Sequence, residues 1–188
     1  MATKVSLQIP AAYQGDLEQV MSQDARSDDE ILASLLEFRP VTSEKNIWAY
    51  WNTGVRHMPG WCQRNVVGWH RVCGPEWTIR VLDSVPGSAN NAARWFPEGL
   101  PDAFYDGTMD GPFVGPHSAD LLRGAFLYEH GGVWMDVSIF LVRHVARICW
   151  DLLENDTSPY RVAVPVMGTN LLNCFLAARK HNPFIKRW

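Results

Sequence analysis

The sequence predicts an α/β fold, a mostly parallel sheet flanked by helices, and two observations carry this prediction. Aromatic and β-branched runs at 47–51 and 77–82 enclose a stretch of helical character at 61–72. A strand–helix–strand order is typical of parallel strands joined by a crossover helix. Farther along, a helical pattern at 119–130 leads into an apolar run at 133–142. That run predicts a further strand, buried on both faces as in parallel sheets.

Length and composition indicate one folded domain and exclude several classes of function. A chain of 188 residues with 47% hydrophobic residues can bury one sizeable core. A net charge of -3, without a cluster of basic residues, argues against nucleic-acid binding. The longest apolar run contains Asp136 and Ser138 and is too short for a membrane span. We expect a cytoplasmic protein, with a Golgi or membrane-associated location as the alternative.

The first 45 residues form an acidic segment that is set apart from the remainder. It holds 4 basic against 8 acidic residues. Ser27 and Glu30 have the spacing of a capping box, and apolar residues then follow at helical spacing until Pro40. We therefore expect an N-terminal acidic helical segment at 1–45 and the sheet domain at 46–188.

The later elements follow from turn and helix signals. Glycine, proline, asparagine and aspartate dominate residues 86–116, which predicts a long loop or short helices. Ser118 can cap the helix at 119–130, and Gly131 with Gly132 can end it. Beyond a linker that begins at Asp151, we expect a strand at 161–166 and a final helix at 171–180.

Asp136 is the most informative single residue, because a carboxylate inside an apolar run needs a compensating partner. In a strand, Asp136 and Ser138 would point to the same face and present two oxygen donors. Such donors suit Mg2+ or Mn2+, which could in turn neutralise a diphosphate. The alternative is that Asp136 pairs with Arg123 or a backbone amide and binds nothing.

Asp120 and Arg123 lie three residues apart on the preceding helix and therefore share one face. In isolation such a spacing favours a surface ion pair of about 0.5 kcal/mol. With Asp136 close in sequence, the unit instead offers a cation, a carboxylate that can bind hydroxyl groups and a metal-type carboxylate. Binding of a phosphorylated sugar requires this combination.

The run PHSADLLRGAFLYEHGGVWMDVSIFL at 116–141 carries a family resemblance. It resembles the hallmark segment of glycosyltransferases with a DXD-type sugar-binding region, in particular the capsular-polysaccharide-synthesis-like group related to the yeast initiating mannosyltransferases. The runs IWAYWNTG at 47–54 and WTIRVLD at 77–83 match that family's first two strands in order and spacing. The resemblance implies a GT-A-like, Rossmann-like fold and transfer of a sugar from a nucleotide-sugar donor with retention of configuration.

The resemblance also implies roles for individual residues. Trp51 would stack on the nucleotide base, although an aromatic residue on an apolar strand can equally belong to the core. Asp83 would lie near the nucleoside, while Asp120 and Arg123 would contact the donor sugar and phosphate. Asp136 would be the catalytic carboxylate at the first position of the DXD motif and would reach the metal and the diphosphate.

Two features depart from the family pattern. Ser138 stands where the strict motif has a second carboxylate, so that one of two charges facing the metal is replaced by a hydroxyl. Family members also continue well beyond the sugar-binding strand, so we expect a C-terminally truncated chain. The expected function is that of a glycosyltransferase assisted by Mn2+ or Mg2+, acting on an unknown glycan or small-molecule acceptor. The alternative is a catalytically inactive sugar-nucleotide-binding or scaffold protein.

Overall fold

The computed structural model describes residues 10–15, 22, 24–96 and 98–187. Part of the predicted acidic segment, including Asp16 and Glu18, lies outside the described residues. Within the segment, helix α1 spans Asp28–Ser34 and begins with the expected capping box. The Ser27 side chain accepts a hydrogen bond from the Glu30 amide, and the Glu30 carboxylate accepts one from the Ser27 amide. Helix α1 packs against the next long helix.

A five-stranded sheet forms the centre of the fold, with strand order β2-β1-β3-β7-β4. Strand β1 pairs in parallel with β2 on one side and with β3 on the other. Strand β7 is antiparallel to both of its neighbours, so β4 runs in the same direction as β1, β2 and β3. The sheet is therefore mostly parallel, as predicted. Its strands are Asn46–Tyr50 (β1), Thr78–Leu82 (β2), Gly132–Met135 (β3), Val162–Ala163 (β4) and Phe175–Ala178 (β7).

Two long helices cover opposite faces of the sheet. Helix α2 spans Gly60–Cys73 and α4 spans Val114–His130. Alternate residues of β1 face opposite sides, because Ile47 packs into the cluster that contains α2, whereas Trp48 packs into the cluster that contains α4. The site described below is held by this three-layer arrangement.

Helix α4 starts earlier than the sequence indicates. Residues 114–118 were expected to belong to the loop or the cap, yet the helix already includes Pro116 in its first turn. Proline is tolerated there because first-turn amides lack helical partners in any case. The helix ends at His130 and is capped by Gly131, whose φ of 66° lies in the left-handed region. The loop before it contains a short helix α3, Asp102–Tyr105.

Three of the predicted elements differ from the structure. The strand expected at 133–142 stops at Met135, because the chain turns at once and the Ile139 amide donates to the Asp136 carbonyl. The segment 171–180, expected to be a helix, instead contains a turn at 173–174 followed by the four buried residues of strand β7. The strand expected at 161–166 is divided between β4 and a small hairpin of β5, Val166–Met167, and β6, Asn170–Leu171.

The chain between β3 and β4 folds into a helical segment. A π-helical turn, Ala146–Trp150, continues directly into α5, Asp151–Glu154. Trp150 lies in the core beside Trp77, with ring centroids 5.2 Å apart. Across the described ranges, none of the helices has the length and apolar character needed to cross a bilayer.

Candidate active site

A cavity of about 540 Å3 opens where the chain leaves the carboxyl ends of β1 and β3. Ligands of open α/β sheets bind in the crevice at this edge. Five of the six residues predicted for the site line this cavity, and they come from the ends of two strands and from one face of α4. They are Trp51, Asp120, Arg123, Asp136 and Ser138.

Arg123 is the centre of this group. Its side chain is only 2% exposed, and its Nη2 lies 3.0 Å from Asp120 Oδ1 and 3.6 Å from Asp136 Oδ1. Its Nη1 donates to the Asn173 carbonyl, and its guanidinium lies over the Trp134 ring. The predicted alternative of a surface ion pair does not describe this arginine, because it is buried and holds two carboxylates at once.

Asp136 is half-buried and directly follows the carboxyl end of β3. Its amide donates to the Cys174 carbonyl of the neighbouring strand segment, and the Trp134 Nε1 donates to its Oδ1 at 3.0 Å. Burial raises the pKa of Asp136, while the Arg123 guanidinium and the Trp134 hydrogen bond oppose that rise. Both the pairing with Arg123 and the position at a cavity are therefore present, although Asp136 follows the strand instead of lying within it.

Asp120 pairs with the same guanidinium nitrogen of Arg123, Nη2, that lies near Asp136. Its side chain is 51% exposed, and its Oδ1 also accepts a hydrogen bond from Asn173 Nδ2 at 3.0 Å. Asn173 precedes β7, the strand that the sequence did not predict. This asparagine thus contacts both Arg123, through its carbonyl, and Asp120, through its amide. It fixes the orientation of the ion pair at the cavity wall.

Trp51 follows β1 directly and lies between core and cavity. Its amide donates to the Leu82 carbonyl, and its ring packs against the apolar cluster on the α2 side. The ring also lines the cavity. Its buried Nε1 has no hydrogen-bond partner among the described residues. The side chain therefore packs against the core and also borders the cavity, and stacking of Trp51 on a nucleotide base stays a prediction.

Ser138 is exposed and lies in the turn after β3. It does not share a strand face with Asp136, so the alternation argument for the two side chains was wrong, but both residues line the same cavity. No group of three histidine, cysteine, aspartate or glutamate side chains suited to a metal occurs in the described part of the chain. Asp136 and Ser138 could supply two oxygen ligands, and Mg2+ commonly takes its others from water and phosphate.

Asp83 does not line the cavity. It is 5% exposed, its Oδ1 accepts from the Val85 amide and its Oδ2 accepts from Ser88 Oγ. Burial raises its pKa against these hydrogen bonds. It therefore holds the loop after β2, in which Ser84 lines a second cavity of about 510 Å3. A contact of Asp83 with a nucleoside stays a prediction.

Several lining residues were not predicted from the sequence. Tyr50 and Asn52 line both cavities, and the two cavities therefore adjoin at the end of β1. Trp61, at the start of α2, lines the first cavity and is 51% exposed, and nothing in the sequence around it indicated this position. For Asn173 the sequence offered no signal, because it falls in the segment that was predicted to be helical.

Comparison with known proteins identifies the family of this chain. Residues 17–188 match the family model described as "Capsular polysaccharide synthesis protein". The probable glycosyltransferase FCK3 of Fusarium pseudograminearum is 53% identical over 182 residues, which cover 96% of this chain and 46% of FCK3. The O-glycosyltransferase braB of Annulohypoxylon truncatum is 47% identical over 171 residues, which cover 88% of this chain and 41% of braB.

A third relative shows the same relation. The glycosyltransferase afumC of Aspergillus fumigatus is 45% identical over 170 residues, covering 86% of this chain and 44% of afumC. The chain thus spans somewhat less than half the length of these relatives. Because the family model matches nearly the whole sequence and the relatives share about half of its residues, this chain belongs to the capsular polysaccharide synthesis protein family, in which these relatives are named glycosyltransferases.

Proposed function

We propose that this chain forms the donor-binding part of a glycosyltransferase that transfers a sugar from a nucleotide-sugar donor, with retention of configuration and with the help of Mn2+ or Mg2+. The observation that carries the proposal is the buried Arg123, which holds Asp120 and Asp136 in one cavity bordered by Trp51. The identity of the relatives as glycosyltransferases supports it.

The chain's own groups have complementary tasks in this proposal. Asp120, with half of its side chain exposed, can accept hydrogen bonds from the sugar hydroxyl groups. Arg123 supplies a fixed positive charge beside the sugar phosphate, because its position is set by two carboxylates and the Asn173 carbonyl. Trp51 offers an aromatic surface for the base.

Asp136 is the residue whose charge state matters most. Burial favours its neutral form, whereas Arg123 favours the carboxylate. Within the described residues, the contacts to its side chain fall on Oδ1. Oδ2 would thus be the atom that faces a cation. When bound, a divalent cation would neutralise charge on the departing nucleoside diphosphate.

A second candidate function rests on Ser138. Because this position offers a hydroxyl instead of a second carboxylate, the cation would be held less strongly. A catalytically inactive protein that binds a sugar nucleotide is therefore the alternative.

Asp136→Asn tests both candidates, since it removes the charge and keeps the shape. We expect the wild-type chain to bind one of UDP-glucose, UDP-N-acetylglucosamine or GDP-mannose in calorimetry with Mn2+. Without another acceptor, the sugar should be transferred to water, which breaks its bond to the phosphate oxygen and releases the nucleoside diphosphate. Asp136→Asn should reduce release by about 100-fold or more. Asp156→Asn, at an exposed position, is the matched control and should leave release unchanged.

The outcomes separate the candidates. Undiminished release by Asp136→Asn would refute the assignment of this carboxylate. Binding without release by the wild-type chain would favour the inactive binding protein. Absence of binding for all three donors would contradict both.

A further inference from the structure

A third cavity, of about 270 Å3 and lined by charged residues, lies at the amino end of β2, remote from the candidate active site. It is bordered by the segment before α1, the end of α2 and Thr78, the first residue of β2. Its charged and titratable lining residues are Asp24, Arg26, Arg39 and His70. Neither the proposed glycosyl transfer nor the family relation assigns a task to this end of the sheet.

The charges around this cavity do not balance. Arg26 pairs with Asp24 at 2.6 Å, and Arg71 of α2 pairs with Asp28 at 2.9 Å. Arg39 also lines the cavity, and no described acidic side chain forms an ion pair with it. After these two pairs are formed, one positive charge at the cavity wall is left without a counter-charge.

Arg80 of β2 adds to the excess of positive charge nearby. Its guanidinium is buried and donates only to neutral oxygens, namely Asn46 Oδ1 and the carbonyls of Arg39 and Pro40. Burial, followed by repulsion from Arg39, lowers the pKa of Arg80 to about 10. A buried cation without a carboxylate is costly, so this region favours a bound negative charge.

His70 provides the second, independent observation. The residue lines the cavity and is 4% exposed, and its Nε2 has no hydrogen-bond partner among the described residues. Burial and the charges of Arg26, Arg39 and Arg71 lower the pKa of His70 to about 4, against the opposing charge of Asp24. A buried ring nitrogen without a partner costs free energy that a ligand oxygen could recover.

We propose that this cavity binds a phosphate group, with Arg39 as its charged partner and His70 Nε2–H as a hydrogen-bond donor. Phosphate oxygens accept hydrogen bonds from arginine in the geometry that the guanidinium offers. The cavity is larger than a single phosphate, so a phosphate monoester or a phospholipid headgroup fits the same chemistry. The proposal does not depend on the proposed function.

The direct test is a calorimetric titration of the chain with inorganic phosphate at constant ionic strength. Wild type should bind, Arg39→Gln should bind at least about tenfold more weakly, and the control Arg56→Gln should equal wild type. Arg56 is an exposed arginine that lines none of the cavities described here. Equal affinity in wild type and Arg39→Gln would overturn the proposal, as would absence of binding.

A spectroscopic measurement avoids dependence on a variant. The imidazole resonances of His70, followed by NMR during the same titration, should shift, and the pKa of His70 should rise with bound phosphate because a negative charge favours the imidazolium form. Resonances of exposed His57 should not move. Binding of phosphate with unchanged His70 resonances would contradict the proposed position.

Vesicles distinguish the source of the phosphate group. Cosedimentation with phosphatidic acid vesicles, but not with phosphatidylcholine vesicles, and its loss in Arg39→Gln would support a lipid headgroup. Binding of inorganic phosphate without binding to vesicles would support a soluble ligand. Failure to bind either probe would refute the site.

Discussion

Replacement of Arg123 by methionine should destabilise the protein and should do so in a pH-dependent way. The side chain is 2% exposed, and its charge compensates Asp120 and Asp136, whose side chains are 51% and 35% exposed. Removal of one partner from a fully buried ion pair costs about 3–5 kcal/mol. Because water screens both carboxylates in part, we expect a loss of about 2–3 kcal/mol in the free energy of unfolding at neutral pH.

The sign of the pH dependence follows from Asp136. Burial raises the pKa of this carboxyl and Arg123 opposes the rise, so the variant should have a still higher Asp136 pKa. A raised carboxyl pKa destabilises the folded state only where the group is ionised. The deficit should therefore be complete above the raised pKa and should shrink as the pH falls through it.

Urea unfolding and thermal unfolding at about pH 7.5 and about pH 5 measure these quantities. The melting temperature should fall by about 4–12 °C at the higher pH, since about 1 kcal/mol corresponds to about 2–4 °C in a chain of this size. Arg56→Met is the matched exposed control, and Arg123→Met/Asp136→Asn should recover part of the loss. A free-energy change equal to that of the control, at both pH values, would refute the reasoning.

The remaining predictions concern the segments that position the site. Gly132→Ala should lower the free energy of unfolding by about 3 kcal/mol, because the φ of Gly132 is 107° and a Cβ there would lie 2.4 Å from the Asn46 carbonyl oxygen. The control Gly68→Ala, in open space within α2, should be neutral or stabilising. Similar free energies of unfolding for the two variants in urea would contradict this prediction. Glu44→Gln should lower the free energy of unfolding by about 1 kcal/mol at neutral pH and by little in acid. Although burial raises the pKa of Glu44, hydrogen bonds from Arg179 and the Lys180 amide lower this pKa overall. The stability that ionised Glu44 contributes is therefore lost as the pH falls through the lowered pKa. A deficit of Glu44→Gln that does not change with pH in thermal unfolding would argue against this prediction.

Local signals were sufficient for the first half of the fold. The capping box of Ser27 and Glu30, the apolar runs of β1 and β2 and the glycine that ends α4 each act through neighbouring residues, and the structure has them in the predicted places. The start of α4 was missed by several residues because Pro116 resembles a helix breaker unless its position within the first turn is known.

The second half could not be predicted in the same way. The segment Phe175–Ala178 contains leucine and alanine, which favour helices, but it is buried between β3 and β4, and sheet pairing overrides this propensity. The sequence therefore identified Asp120, Arg123 and Asp136 as a group and missed Asn173, whose contacts join residues 50 and more positions apart. Such contacts depend on the strand order.

The placement of β7 beside β3 has a consequence for the order of events during synthesis. A nascent chain that has already released α4 and β3 from the ribosome still lacks the backbone oxygen that Arg123 requires, because Asn173 follows 50 residues later. Until that strand inserts, the guanidinium has only the two acids as partners. The wall of the cavity beside Arg123 is thus completed only after a segment 50 residues farther along the chain has emerged.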